Sequence, residues 1–143
     1  MDENTSVQDF IFSPIFDGVT HYQFCNMTDV NRSYGECLED VKEVWKKCFE
    51  KTNGKYYPRV SLGWDSTPRY NSLARHRILK DNTPENVKKA FEAAKSFLDA
   101  RPEIKAPFIT VNSWNEWTEG SYLEPDDLNG YGYLEAIKEV FKA

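Results

Sequence analysis

The sequence predicts an α/β fold built on a parallel sheet. Three short apolar segments, three amphipathic helical segments and their strict alternation along the chain carry that expectation. Parallel neighbours need a crossover of a dozen or more residues, and a helix is the usual one. A chain of 143 residues is long enough for one domain with its own core, and 1–143 reads as a single domain without an internal linker.

The first strand segment is FDGVTHYQF, 16–24, rich in β-branched and aromatic residues and broken by an Asp-Gly pair. A helix follows, opened by Ser33-Tyr34-Gly35-Glu36, where Ser33 and Glu36 can satisfy each other's backbone donors. Leu38, Val41, Val44, Trp45, Cys48 and Phe49 then recur at helical spacing until Asn53-Gly54 signals a stop. The second strand segment is YYPRVSLGW, 56–64. The second helix takes Thr83 as N-cap and Pro84 in its first turn, lines up Val87, Phe91, Ala94 and Leu98, and ends before Pro102. PFITVNSW, 107–114, is the third strand segment. The third helix runs from about Tyr131, with Leu134, Ile137 and Phe141 on one side.

The connections are unequal. Those after strands (25–32, 65–83, 115–130) are long, whereas those after helices (52–56, 101–106) are short. In parallel α/β folds ligands gather at the carboxyl ends of strands. Functional residues are therefore expected just after Phe24, Trp64 and Trp114.

Bulk properties exclude several classes. A net charge of −5 with no basic run argues against a nucleic-acid surface. No apolar stretch approaches bilayer length. The opening MDENTSVQDF is acidic, unlike a secretory leader, so a cytoplasmic location is expected if Met1 is the natural start. Cys25, Cys37 and Cys48 form neither a CxxC pair nor an even disulfide set, and Cys37 and Cys48, on one helix, read as packing residues. EPDDLNG, 124–130, lacks the alternating acids of a calcium loop. GxGxxG, GxxxxGK[ST] and GxSxG are all missing, so no metal, nucleotide cofactor or serine nucleophile is expected. The segment RYNSLARHR, containing Arg75, His76 and Arg77, reads with Arg69 and Arg59 as mostly solvated. Its less favoured reading is an anchor for a phosphate or a uronic acid.

The chemistry concentrates in WNEWTEGSYLEPD, 114–126. Glu116 and Glu119 stand three apart beside Trp114 and Trp117. In a continuing strand they would face opposite ways. They converge only if the backbone turns after about Asn115, and Gly120 marks such a turn. A desolvated acid pair would have the pKa of at least one member raised. One protonated and one ionised carboxyl is what glycosidic bond chemistry requires, and indole faces suit sugar rings. The alternative is a pair of solvated glutamates in a loop.

ITVNSWNEWTEGSYLEPD followed by GYGYLEAIKEVF resembles the final strand, loop and helix of the glycoside hydrolase family 99-like proteins. These comprise the endo-α-mannosidase and mannanase family and relatives assigned to bacterial surface-polysaccharide synthesis. YYPRVSLGWDSTPR and FDGVTHYQF resemble its preceding strands, and the likeness covers roughly 16–142. The resemblance implies the C-terminal portion, about three β/α units, of a (β/α)8 TIM-like barrel. A complete barrel needs about 250 residues, so the missing barrel half or self-association would have to cover the open sheet. It also implies an oligosaccharide or polysaccharide substrate and a retaining mechanism in which the sugar's own 2-hydroxyl attacks the anomeric carbon. Glu116 would be the base on that hydroxyl and Glu119 the acid/base at the leaving oxygen. Tyr22 would approach the reacting sugar. Trp64, Asp65, Arg69, Asn115 and Glu124 would line or support the site. From their positions alone, Trp117 is a further candidate sugar contact, and His21 either contacts a sugar hydroxyl or is a histidine hydrogen-bonded within the core. Thr118 departs from the histidine of the mannosidase branch, and the loop lies closer to the polysaccharide relatives. Hydrolysis, glycosyl transfer and sugar binding without turnover all remain open.

Overall fold

The computed structural model describes residues 16–70 and 77–142. The three expected helices are present: α1 (Tyr34–Lys51), α2 (Pro84–Asp99) and α3 (Gly132–Phe141). Their starts follow from local chemistry. The Ser33–Glu36 capping box forms in both directions, with Ser33 N–H donating to Glu36 Oε2 at 3.1 Å. Thr83 Oγ1 accepts the Asn86 N–H at 3.3 Å, and Pro84 occupies the first turn, where no donor is needed. After α1, Asn53 (φ 49°) and Gly54 (φ 84°) are both left-handed, which ends the helix.

The three apolar segments lie side by side in parallel. Val19 bridges Tyr56, and β1 (Arg59–Val60) pairs in register with β2 (Thr110–Val111). The regular ladder is much shorter than the segments, and beyond it side chains supply further hydrogen bonds. Ser61 Oγ accepts from Phe24 N–H at 2.9 Å, and Asn112 Oδ1 accepts from Leu62 N–H at 3.0 Å. Arg59 donates to the His21 and Val111 carbonyls on both flanking segments, at 2.7 and 2.8 Å. The expectation of a solvated Arg59 is thereby corrected: its guanidinium stitches the sheet. His76 and Arg75 of the same expectation lie outside the described residues.

Buried residues of α1 (Leu38, Val41, Trp45) and α2 (Val87, Phe91, Ala94) meet Val60 and Leu62 in one core. Cys37 and Cys48 are buried there as free thiols. Two close approaches position the site. A Cβ on Gly63 would meet the Gly120 carbonyl and would lie 2.7 Å from Asn82 Nδ2; one on Gly120, itself at φ 57°, would lie 2.9 Å from Asp65 Cβ. The second strand segment and the turn after the third are thus in backbone contact, which only glycine permits. No helix among the described residues is long and apolar enough to cross a membrane. The fold is α/β, and β2 has no strand on its far edge among the described residues.

Candidate active site

After Trp114 the chain forms a miniature hairpin absent from the expectations. β3 (Asn115–Glu116) pairs antiparallel with β4 (Ser121–Tyr122), joined by a 3-10 turn over Trp117–Glu119 and left-handed Gly120. Glu116 stands at the N-cap of this turn and Glu119 ends it, and the turn brings both carboxylates, which a strand would separate, within reach of one guanidinium.

The two carboxylates differ in environment. Glu119 is 3% exposed, whereas the Glu116 side chain is 44% exposed. Arg69, from the 3-10 turn Thr67–Arg69, lies between them. Its Nη1 is 2.9 Å from Glu119 Oε1 and its Nη2 is 3.4 Å from Glu116 Oε2. The same guanidinium donates to Thr118 Oγ1 at 3.3 Å. The Tyr22 hydroxyl donates to the other Glu119 oxygen at 3.1 Å. Partial burial, then this hydrogen bond to the carboxylate, raises the Tyr22 hydroxyl above its usual range. Two other chain segments therefore converge on Glu119.

The remaining expected site residues divide by position. Asp65 acts through its backbone: its N–H donates to Glu119 O at 2.6 Å, while its carboxylate accepts from Thr67 N–H at 2.8 Å. Glu124 accepts from the Trp117 indole N–H at 2.9 Å. Asn115 sits on β3 opposite Tyr122. His21 turns to Tyr56, Nδ1 to hydroxyl 2.8 Å, and burial lowers its pKa. Trp64 packs against the core with its indole N–H buried and without a partner among the described residues. Tyr22 and Arg69 both contact Glu119, and Arg69 also reaches Glu116; His21 is turned to Tyr56 and Trp64 to the core instead.

Two contributors escaped the sequence reading. Asn112, 9% exposed, accepts from Leu62 and donates to Ser121 Oγ at 2.7 Å, tying the hairpin to the sheet. Asparagine is depleted from strands, so an Asn inside an apolar run was the available signal. Tyr122, which stacks on Trp117 at 3.9 Å between centroids, carried no such mark. Among the described residues no group of three or more His, Cys, Asp or Glu side chains converges as a metal site.

The family signature of Glycosyltransferase WbsX matches residues 8–137. The uncharacterized protein WxcX of Xanthomonas campestris pv. campestris strain B100, and its counterpart in strain ATCC 33913, are each 32% identical over 113 residues. Those alignments cover 78% of this chain and 16% of theirs, so the chain spans a small part of the curated relatives' length. No solved structure matches. With the signature running through the sheet, α1, α2 and the acid pair and into α3, the chain belongs to the glycosyltransferase WbsX family.

Proposed function

We propose that the chain carries the working end of a carbohydrate-active enzyme acting at the anomeric carbon of an α-linked saccharide. The carrying observation is the Glu116–Glu119 pair, one carboxylate buried and one at the surface, bridged by Arg69. The parallel alignment of three strand segments, with the acid pair beyond their carboxyl ends, supports reading the chain as the C-terminal portion of a (β/α)8 barrel.

In this reading Glu116 removes the proton of the sugar's 2-hydroxyl. The oxygen so freed attacks the anomeric carbon while protonated Glu119 gives its proton to the departing oxygen. A water or sugar hydroxyl then opens the anhydro sugar, surrendering its proton to Glu119, and Glu116 returns its proton to O2. Two displacements at one carbon retain configuration. Glu119 must carry a proton and be free of Arg69 at the first step, so the 2.9 Å ion pair is the resting arrangement that substrate replaces.

Hydrolysis uses water in the second step; transfer uses a sugar hydroxyl. The family's description as a glycosyltransferase favours transfer as the second reading. Incubation with α-linked oligosaccharides and product analysis separates them, since released reducing ends mean hydrolysis and lengthened glycans mean transfer. Glu119→Gln is expected to abolish either activity while saccharide binding survives. Turnover retained in that variant would reject the acid-pair chemistry.

A further inference from the structure

Trp117 lies beside both glutamates and is held in an unusual way for a residue 46% exposed. Tyr122 covers one of its faces, stacked at 3.9 Å between centroids and 21° between planes. Glu124 Oε2 fixes its edge through the 2.9 Å indole hydrogen bond. Tyr122 in turn meets the buried Tyr133 ring edge-on at 6.2 Å, and the Tyr133 hydroxyl donates to the Asn82 carbonyl at 2.6 Å. The indole is thus braced through two rings to the core. With one face and the N–H edge occupied, its exposure comes from the opposite face and the benzo edge.

A solvated loop tryptophan would keep its rotamer freedom and lose it on binding. Here that ordering is already in place. We propose that the open face of Trp117 is a fixed stacking platform for a pyranose ring that presents a contiguous face of C–H bonds, and that Glu124 is its positioning residue. This assignment rests on the reading that the neighbouring acid pair acts on a saccharide, and it names the subsite that would seat the ring. The electron-rich indole face receives the weakly positive C–H bonds, while the ring hydroxyls point outward to solvent.

The test follows the four tryptophan indole N–H signals of the 143-residue chain by NMR, assigning that of Trp117 with Trp117→Phe. The probes are the methyl α-pyranosides of glucose, mannose, galactose, rhamnose and fucose. At least one is expected to shift the Trp117 signal in a saturable way. Trp117→Ala, whose binding is read from saturation transfer to the saccharide's own protons, should weaken that binding about tenfold, the scale of a lost ring contact. Glu124→Ala should move the Trp117 signal before sugar is added and weaken binding about threefold to fivefold. Glu124→Gln, which keeps an acceptor oxygen, should restore most of that affinity. The platform is overturned by a saccharide affinity unchanged in Trp117→Ala, by Glu124→Ala binding like the parent, or by a Trp117 signal that no probe moves. The outcome is separable from the proposed chemistry. Turnover without a Trp117 response rejects the platform alone, and a Trp117 response with turnover intact in Glu119→Gln rejects the acid-pair reading alone.

Discussion

Gly63→Ala is expected to be among the most damaging single-methyl additions in this chain, because the new Cβ would press on backbone. It would collide with the Gly120 carbonyl oxygen and lie 2.7 Å from Asn82 Nδ2, closer than Cβ atoms approach. Asn82 can swing away only by giving up its bond to the Leu62 carbonyl at 2.9 Å. Gly120 cannot yield alone, since its turn is held by the 2.6 Å bond from Asp65 N–H to Glu119 O. Overpacking costs about 1–3 kcal/mol, and backbone contact puts this site at the upper end. Losing the Asp65 bond adds about 1 kcal/mol. The stiffer unfolded chain returns about 0.5–1 kcal/mol. The net is a loss of about 3 kcal/mol.

Urea unfolding followed by tryptophan fluorescence measures it. With a slope of about 2 kcal/mol per molar urea, the midpoint should fall by about 1.5 M. Gly35→Ala is the matched control. It adds the same methyl in the first turn of α1, where nothing lies within 4 Å, and should raise the midpoint by about 0.3–0.5 M. A Gly63→Ala midpoint within about 0.3 M of the parent would refute the backbone-contact argument.

Arg69→Met should cost about 1–3 kcal/mol, because it leaves the buried Glu119 carboxylate without its cation, and adding Glu119→Gln should recover part of the loss; a double-mutant cycle in urea checks this. Asn112→Ala leaves the Leu62 N–H and the Ser121 hydroxyl unpaired in the interior and should cost about 2–3 kcal/mol, against about 1 kcal/mol for Ser121→Ala, read by the same titrations. Burial lowers the His21 pKa in the folded state, so the unfolded chain takes up that proton first as pH falls. His21 therefore contributes full stability above its ordinary value of about 6.5 and loses it below that point. Thermal unfolding should show a lower Tm at pH 5.5 than at pH 7.5, and His21→Gln should reduce the difference.

The helices were legible because their determinants are local. Ser33 with Glu36, Thr83 with Pro84, and Asn53 with Gly54 each act within a few residues, and helical spacing then names the buried face. The parallel order was legible from alternation alone. The hairpin was not, since Ser121–Tyr122 is two residues long and its pairing depends on Asn112 reaching across from the preceding strand. Arg59 misled for a similar reason. A charged residue grouped with a neighbouring arginine-rich loop reads as solvated, yet its two carbonyl partners belong to segments distant in sequence. Likewise, nothing in the spacing of His21 and Trp64 distinguishes a ring turned to the core from one turned to a ligand, because both faces of a parallel strand can be apolar.

The acid pair itself was legible as a pair and illegible in its asymmetry. Composition and spacing treat Glu116 and Glu119 alike. What separates them is the backbone path: the 3-10 turn starts after Glu116 and ends at Glu119, and left-handed Gly120 then folds the chain back so that its carbonyl meets Gly63. That contact buries the end of the turn and leaves its start at the surface, so Glu119 receives Tyr22 and most of Arg69 while Glu116 keeps an open side. Unequal environments for two identical acids thus arise from two glycines that carry no functional group. A substitution at either glycine should disturb the carboxylates without touching them, which is why Gly63→Ala examines the site as well as the fold.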